Sequence, residues 1–164
     1  MKKKKIKISE FGEYLLSINL GHMRQFIDGI KKDKNSQFNS VENNILYLEL
    51  VILSLWSLNF LNCGKKILNA VLNSFFDKMK LKTDDKNEFL NYLELRSKEY
   101  FDLWPDNSDA LSLFSFASVI CKNLDVNLVL NVFSIMEISD YFVSLTKINS
   151  NIISNAKKNI NLVI

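Results

Sequence analysis

Every imidazole-dependent chemistry open to this chain has to run through His22, its only histidine. Zinc hydrolysis, a Ser-His-Asp triad, a Cys-His pair and imidazole acid–base work all need that group. His22 follows Gly21 and reads as a helix-junction residue rather than a ligand or catalyst. Cys63 and Cys121 are isolated, lie in apolar segments and lack the close spacing of a metal or redox motif, so they read as buried, reduced thiols. The glycines, at positions 12, 21, 29 and 64, form no loop able to cradle a phosphate. The sequence therefore predicts no catalytic residue, no metal site and no cofactor.

Carboxylates are the remaining source of acid–base chemistry. Glu94 with Glu99, and Glu137 with Asp140, would each pair on one helix, but without a Glu-x-x-His partner they read more simply as solvated faces. Ser112, Ser115 and Ser118 recur at three-residue spacing on an apolar segment, where small residues would let helices approach closely.

Glu49 and Arg96 stand apart, because each charge falls where the pattern asks for an apolar residue. Arg96 lies in the series Phe89, Leu93, Arg96, Tyr100 and Leu103, spaced four, three, four and three, so its stem belongs to a buried stripe. Glu49 sits among Leu48, Leu50, Ile52 and Leu53 on a segment with almost no wet face. An unpaired charge in such a place costs several kcal/mol. The expectation is that Glu49 and Arg96 meet as a buried or half-buried pair fixing the register of two helices. The competing expectations are that Glu49 reaches solvent at a gap and that Arg96 extends outward past Tyr100. Should the pair share a cavity with Tyr100 or Tyr47, these residues become the candidates for contact with a polar ligand.

The elements that hold these residues read as helices. Phe11, Tyr14, Leu15 and Ile18, then Met23, Phe26, Ile27 and Ile30 after Gly21, predict two short helices hinged near Gly21 or one kinked helix. Lys31 to Ser40 is polar and predicts a loop. Val41 to Leu61 is apolar around most of its circumference, as in the central helix of a bundle; its apolar part, Ile45 to Leu61, carries Glu49 and falls short of a membrane span. Cys63 and Gly64 are read as its stop.

Ile67, Leu68, Val71, Leu72, Phe75, Phe76 and Met79 form one clean stripe opposite lysines and asparagines. Thr83, Asp84 and Asp85 cap the next helix, which stops before Pro105. Asp106 to Asp109 cap another, running through about Lys122. Asp125 is read as the start of a long helix through about Lys147, with Asn127, Asn131, Ser134 and Glu137 on its wet side. Strand content is minimal: Lys5 to Ser9 alternates, and Val126 to Phe133 is rich in Val, although its length and polar spacing favour helix.

The predicted fold is all-α: a single-domain, antiparallel bundle of about six helices with a buried central helix near 43–62. Residues 1–8 are expected to be a flexible Lys-rich terminus, 9–150 the bundle and 151–164 a partly ordered tail.

The 164 residues are 48% hydrophobic and carry a net charge of +3, which fits one globular domain and excludes collagen, a disulfide scaffold and a fully disordered chain. Lys outnumbers Arg 19 to 2, a bias that AT-rich codons produce, and the guanidinium that reads guanine is nearly absent. No specific nucleic-acid partner is expected from the Lys2–Lys5 run. No export signal follows that run, because Ser9, Glu10, Gly12 and Glu13 interrupt the apolar stretch, so a cytoplasmic setting is expected. What survives is a non-catalytic protein-interaction module of adaptor, chaperone, inhibitor, immunity or antitoxin type. It would act through apolar helix faces on another protein or on a second copy as a homodimer. The alternative is a bundle that binds a small hydrophobic ligand, or an enzyme with a carboxylate-based site between helices.

Overall fold

A computed structural model describes residues 3–103, 110–126 and 132–163, with backbone alone at 110 and 111. Six helices dominate the described residues: α1 (Ile8–Lys32), α2 (Asn43–Phe60), α3 (Lys65–Met79), α4 (Thr83–Leu103), α5 (Ala110–Asn123) and α6 (Val132–Asn159). A 3-10 turn covers Gln37–Ser40, and two short strands, β1 (Lys4–Lys7) and β2 (Ile160–Val163), bracket the bundle. The chain is an all-α helical bundle.

The helix α1 runs without a hinge through Gly21. Its buried positions, Phe11, Leu15, Leu16, Leu20, Met23 and Ile30, keep helical phase across the glycine. A single Gly costs only about 1 kcal/mol against Ala in a helix, less than the burial that a continuous stripe secures. Gly12 serves packing: a Cβ there would lie 2.6 Å from Ala70 Cβ and 2.7 Å from the Ala70 carbonyl carbon, so α1 and α3 touch backbone to backbone.

Along α2 the chain is buried without a break from Glu49 to Leu58. Its C-terminus is closed by Asn62, not by Gly64. Asn62 takes a left-handed φ of 51°, its N–H bonds the Asn59 carbonyl at 2.9 Å, and the Cys63 N–H bonds the Leu58 carbonyl at 3.3 Å. That is the Schellman pattern. Gly64, with φ of 97°, instead opens α3. Asp125 is a matching correction: it does not start a helix but closes α5, with φ of 54° and the Val126 N–H on the Cys121 carbonyl at 2.9 Å. Asx residues tolerate the left-handed region, so an Asp that looks like an N-cap in sequence can equally be a stop. Asn127 and Asn131 lie outside the described residues, as do Trp104 to Asp109. Ser134, expected on the wet side of α6, is buried.

Side-chain pairs fix the direction of α1 relative to α6. Asn19 meets Asn149 and His22 meets Tyr141, so residue numbers rise on α1 as they fall on α6 and the two run antiparallel. The aromatic centre is Trp56, Tyr100, Phe116 and Phe142, with ring centroids 4.8–5.9 Å apart. Stacked, tilted and edge-on rings at such distances add to their burial.

A short strand lies near each end of the chain. Lys4–Lys7 pairs in parallel with Ile160–Val163, Ile6 opposite Leu162, and α6 continues through Asn159. The Lys3 Nζ donates to the Lys157 carbonyl at 2.8 Å, capping the end of α6. The alternation read at Lys5 to Ser9 overlaps β1 at Lys5–Lys7, with Ile8 and Ser9 already in α1, whereas a pairing between positions more than 150 residues apart leaves no local trace.

Candidate functional site

The structure brings Glu49 and Arg96 together. Arg96 Nε of α4 lies 3.5 Å from Glu49 Oε2 of α2, with Glu49 only 2% and Arg96 15% exposed. This is a charge contact rather than an aligned hydrogen bond, since Nε and Glu49 Oε1 both lack hydrogen-bond partners. The guanidinium spends its other nitrogens elsewhere: Nη1 donates to Glu99 Oε2 at 3.0 Å and Nη2 to the Tyr92 hydroxyl at 2.7 Å. Asn123 of α5 donates to the same Glu99 oxygen at 3.1 Å, so α2, α4 and α5 meet at one polar knot. Burial pushes the Glu49 carboxyl up to about 7, with Arg96 pulling it down and Glu99 adding a repulsion.

Tyr100 is not part of the knot. Its ring is fully buried against Trp56 and Phe116, and its hydroxyl has no hydrogen-bond partner. Tyr92, two turns before Tyr100 and one turn before Arg96, takes the place expected for Tyr100. Its ring also stacks under the guanidinium, 4.9 Å from centroid to Cζ.

Tyr92 and Asn123 connect the knot to an apolar groove of about 940 Å³ between α2, α3 and α4. The groove floor is Leu48, Val51, Phe75 and Phe89; Ile45, Met79 and Leu95 stand on its rim, substantially exposed. Asp85 and Glu88 of the first turns of α4 supply its carboxylates. Tyr47, named with Tyr100 as an alternative cavity neighbour of the pair, lines this groove. The groove exists because α4 is the most polar helix: among its described residues only Phe89 and Tyr100 are fully buried, so it rests on α2 at few points. Its start is held by the Asp85 carboxylate, which accepts from the Lys82 backbone N–H at 3.3 Å.

The other sequence candidates do not assemble into a reaction centre. His22 stacks on Tyr141, rings 5.0 Å apart and 8° from parallel, with its Nε2 3.5 Å from the Tyr141 carbonyl; because α1 is continuous, it stands at no helix junction and instead packs the middle of α1 against α6. Glu94 pairs with Lys98 in solvent at 2.9 Å, while Glu99 belongs to the knot. Glu137 accepts from Ser36 Oγ at 3.1 Å, and burial raises its pKa, with Asp33 adding to that effect. Asp140 shares a pocket of about 390 Å³ with Glu137 and Asp33. Ser115 is exposed and Ser112 and Ser118 are half-buried; α5 packs through Phe116, Ala117, Ile120 and Cys121 instead, so the serine series does not mark its contact face. Cys63 and Cys121 are buried and unbridged. Among the described residues no cluster of three or more His, Cys, Asp or Glu side chains could hold a metal, and no helix is long and apolar enough to cross a membrane.

A core polar cluster escaped the sequence reading. Asn19 and Asn149 exchange amide hydrogen bonds of 2.9 and 3.0 Å, and Asn149 Nδ2 reaches Ser57 Oγ at 2.9 Å, joining α1, α6 and α2 deep inside the bundle. Ser57 donates onward to the Ser54 carbonyl at 2.8 Å. The signal for it was the phase of Asn19, which falls four residues after Leu15 and four before Met23 on the apolar stripe of α1. Comparison with protein-family models, with curated proteins and with solved structures returns no match to this chain.

Proposed function

We propose that this protein is a non-catalytic interaction module of the cytoplasm whose α2/α3/α4 groove receives an amphipathic helix of a protein partner. The observation that carries this reading is the groove itself: an open apolar trough of about 940 Å³ with exposed Ile45, Met79 and Leu95 on its rim. Helix-in-groove recognition requires such a surface, with anchors at i, i+3, i+4 and i+7 on the guest. Asp85 and Glu88 favour a guest that carries Lys or Arg beside its apolar stripe. The trough also has the volume of a small-molecule site, which supports a hydrophobic ligand as the second reading.

The test is photocrosslinking from a benzoylphenylalanine at Leu95 in the source cell, followed by titration of the purified captured protein. Ile45→Asp with Leu95→Asp should weaken that binding at least tenfold while the thermal midpoint stays near that of the parent. Binding that ignores both substitutions overturns the proposal. Native mass spectrometry showing a lipid-sized molecule, displaced by the same substitutions, would establish the second reading instead.

A further inference from the structure

We infer that the β1/β2 pair is a second interaction surface, on which an extended acidic peptide adds as a third strand along the free edge of β2. Among the described residues the sheet consists of these two strands alone, so each has one edge without a strand partner. A strand edge presents a row of backbone N–H and C=O groups, and sheets blunt such edges with charge, lysine above all. The β1 strand is protected in this way by Lys4, Lys5 and Lys7. The β2 strand, Ile160-Asn161-Leu162-Val163, carries no charge at all.

Charge selects the guest. Lys4, Lys5 and Lys7 on β1 and Lys157 and Lys158 in the last turn of α6 all lie exposed around this end of the molecule. Glu10 lines the pocket beside Ile6 and Ile160, and against that carboxylate the five lysines leave the strand pair net positive. A guest on β2 lies about 10 Å from β1, two strand spacings away, where a Debye length of about 8 Å at physiological salt weakens the field without abolishing it, so carboxylates are attracted and a second copy of the same basic end is repelled. The register puts Lys5 and Lys7 on the face away from the helices, because Ile6 on the opposite face helps line an apolar pocket of about 460 Å³ with Ile160, Phe11, Tyr14 and Ile152. Apolar side chains on one face of a guest strand and acidic ones on the other would match this division. Backbone pairing plus alternate side-chain recognition is the established logic of strand addition. Nucleic acid is disfavoured by the same features: arginine is absent from this end, and a strand edge offers hydrogen bonds in the geometry of another backbone.

The test uses the full chain and a fluorescent peptide of alternating Glu and Val, with four controls: alternating Lys and Val, the Glu peptide N-methylated on alternate residues, a single-stranded RNA oligomer, and phosphatidylserine vesicles. Expected are selective binding of the Glu peptide, at least tenfold weakening by N-methylation on one alternation, and at least tenfold weakening by Lys5→Glu with Lys7→Glu. New amide protection should appear at Ile160–Val163. Because Lys5 and Lys7 are exposed, the thermal midpoint of that variant serves as the folding control. Equal binding of the Lys peptide, insensitivity to N-methylation or protection confined to β1 overturns the inference. So does tighter binding of RNA or vesicles than of the peptide, or concentration-dependent pairing of two copies through β2. None of these outcomes depends on the α2/α3/α4 groove.

Discussion

Replacing Glu49 by Gln should make the protein more stable at pH 8, although the substitution removes one partner of a buried charge contact. At 3.5 Å and an effective dielectric of about 20, the attraction between Glu49 and Arg96 is worth about 5 kcal/mol. Dehydrating both ions costs several kcal/mol each, and Glu99 repels Glu49 in addition. The outcome of that contest is a carboxyl raised from 4.5 to about 7. Since the folded value lies above the unfolded one, the stability linked to Glu49 is fully present below about pH 4.5 and is lost as pH rises through about 7. The gap corresponds to about 3 kcal/mol.

Gln mimics the neutral carboxyl, and Arg96 keeps Glu99 at 3.0 Å and the Tyr92 hydroxyl at 2.7 Å. Glu49→Gln should therefore exceed the parent by up to about 3 kcal/mol at pH 8, or roughly 6–12 °C in Tm for a chain of this size. The advantage should shrink toward zero as pH approaches 4.5. Urea unfolding of both proteins at steps between pH 8 and pH 4.5 measures it. If Glu49→Gln is less stable than the parent by more than about 1 kcal/mol at pH 8, the ion pair outweighs its dehydration and the reasoning fails.

Gly12→Ala should destabilise by at least about 2 kcal/mol, because its Cβ meets the Ala70 and Val71 backbone within 2.9 Å, whereas Gly21→Ala, with nothing within 4 Å, should stabilise by up to about 1 kcal/mol; thermal melts of the two distinguish a helix contact from a helix cost. Asn149→Ala strands the Asn19 amide and should cost about 3 kcal/mol in urea unfolding, with Asn19→Ala in the same chain adding less than its separate effect. Burial raises the Cys63 thiol and pushes Cys121 up to about 12, so at pH 8 a thiol reagent should label both slowly in the native protein and both rapidly in denaturant. Light scattering should give twice the chain mass if the apolar surface on α4 and α6, including Phe101 and Phe133, is covered by a second copy; a monomer at high concentration would rule that out.

Helix positions were legible because long apolar stripes recur at 3.6-residue spacing, and that period survives whatever the helices pack against. The α3 stripe from Ile67 to Met79 corresponds to the helix observed. Helix ends were less legible for a specific chemical reason. Asn62, Lys80 and Asp125 all take left-handed φ near 50°, and none is glycine. Only the tertiary fold decides whether an Asp or Asn caps the helix ahead of it or closes the one behind. Of the strand pair, the alternation from Lys5 hinted at β1, but its pairing was illegible because β2 lies at the opposite end of the sequence.

The polar knot shows how far side-chain phase alone reaches. Two charges on apolar stripes implied a meeting of helices, and the positions of Glu49 and Arg96 within α2 and α4 were enough to place both at that contact. Nothing in the phase of Tyr100 told whether its hydroxyl would follow its stripe into the core or reach the charges; Tyr92, half-buried and four residues before Arg96, was the residue whose i,i+4 relation to the guanidinium mattered. That geometry links two properties usually separated. The hydroxyl that orients Arg96 belongs to a ring lining the apolar groove, so a guest that displaces Tyr92 must also disturb the contact holding α4 to Glu49. Occupancy of the groove should consequently shift the carboxyl of Glu49, and a guest that moves Tyr92 toward solvent should bind more tightly at pH 6, where Glu49 is protonated and no longer needs Arg96, than at pH 8.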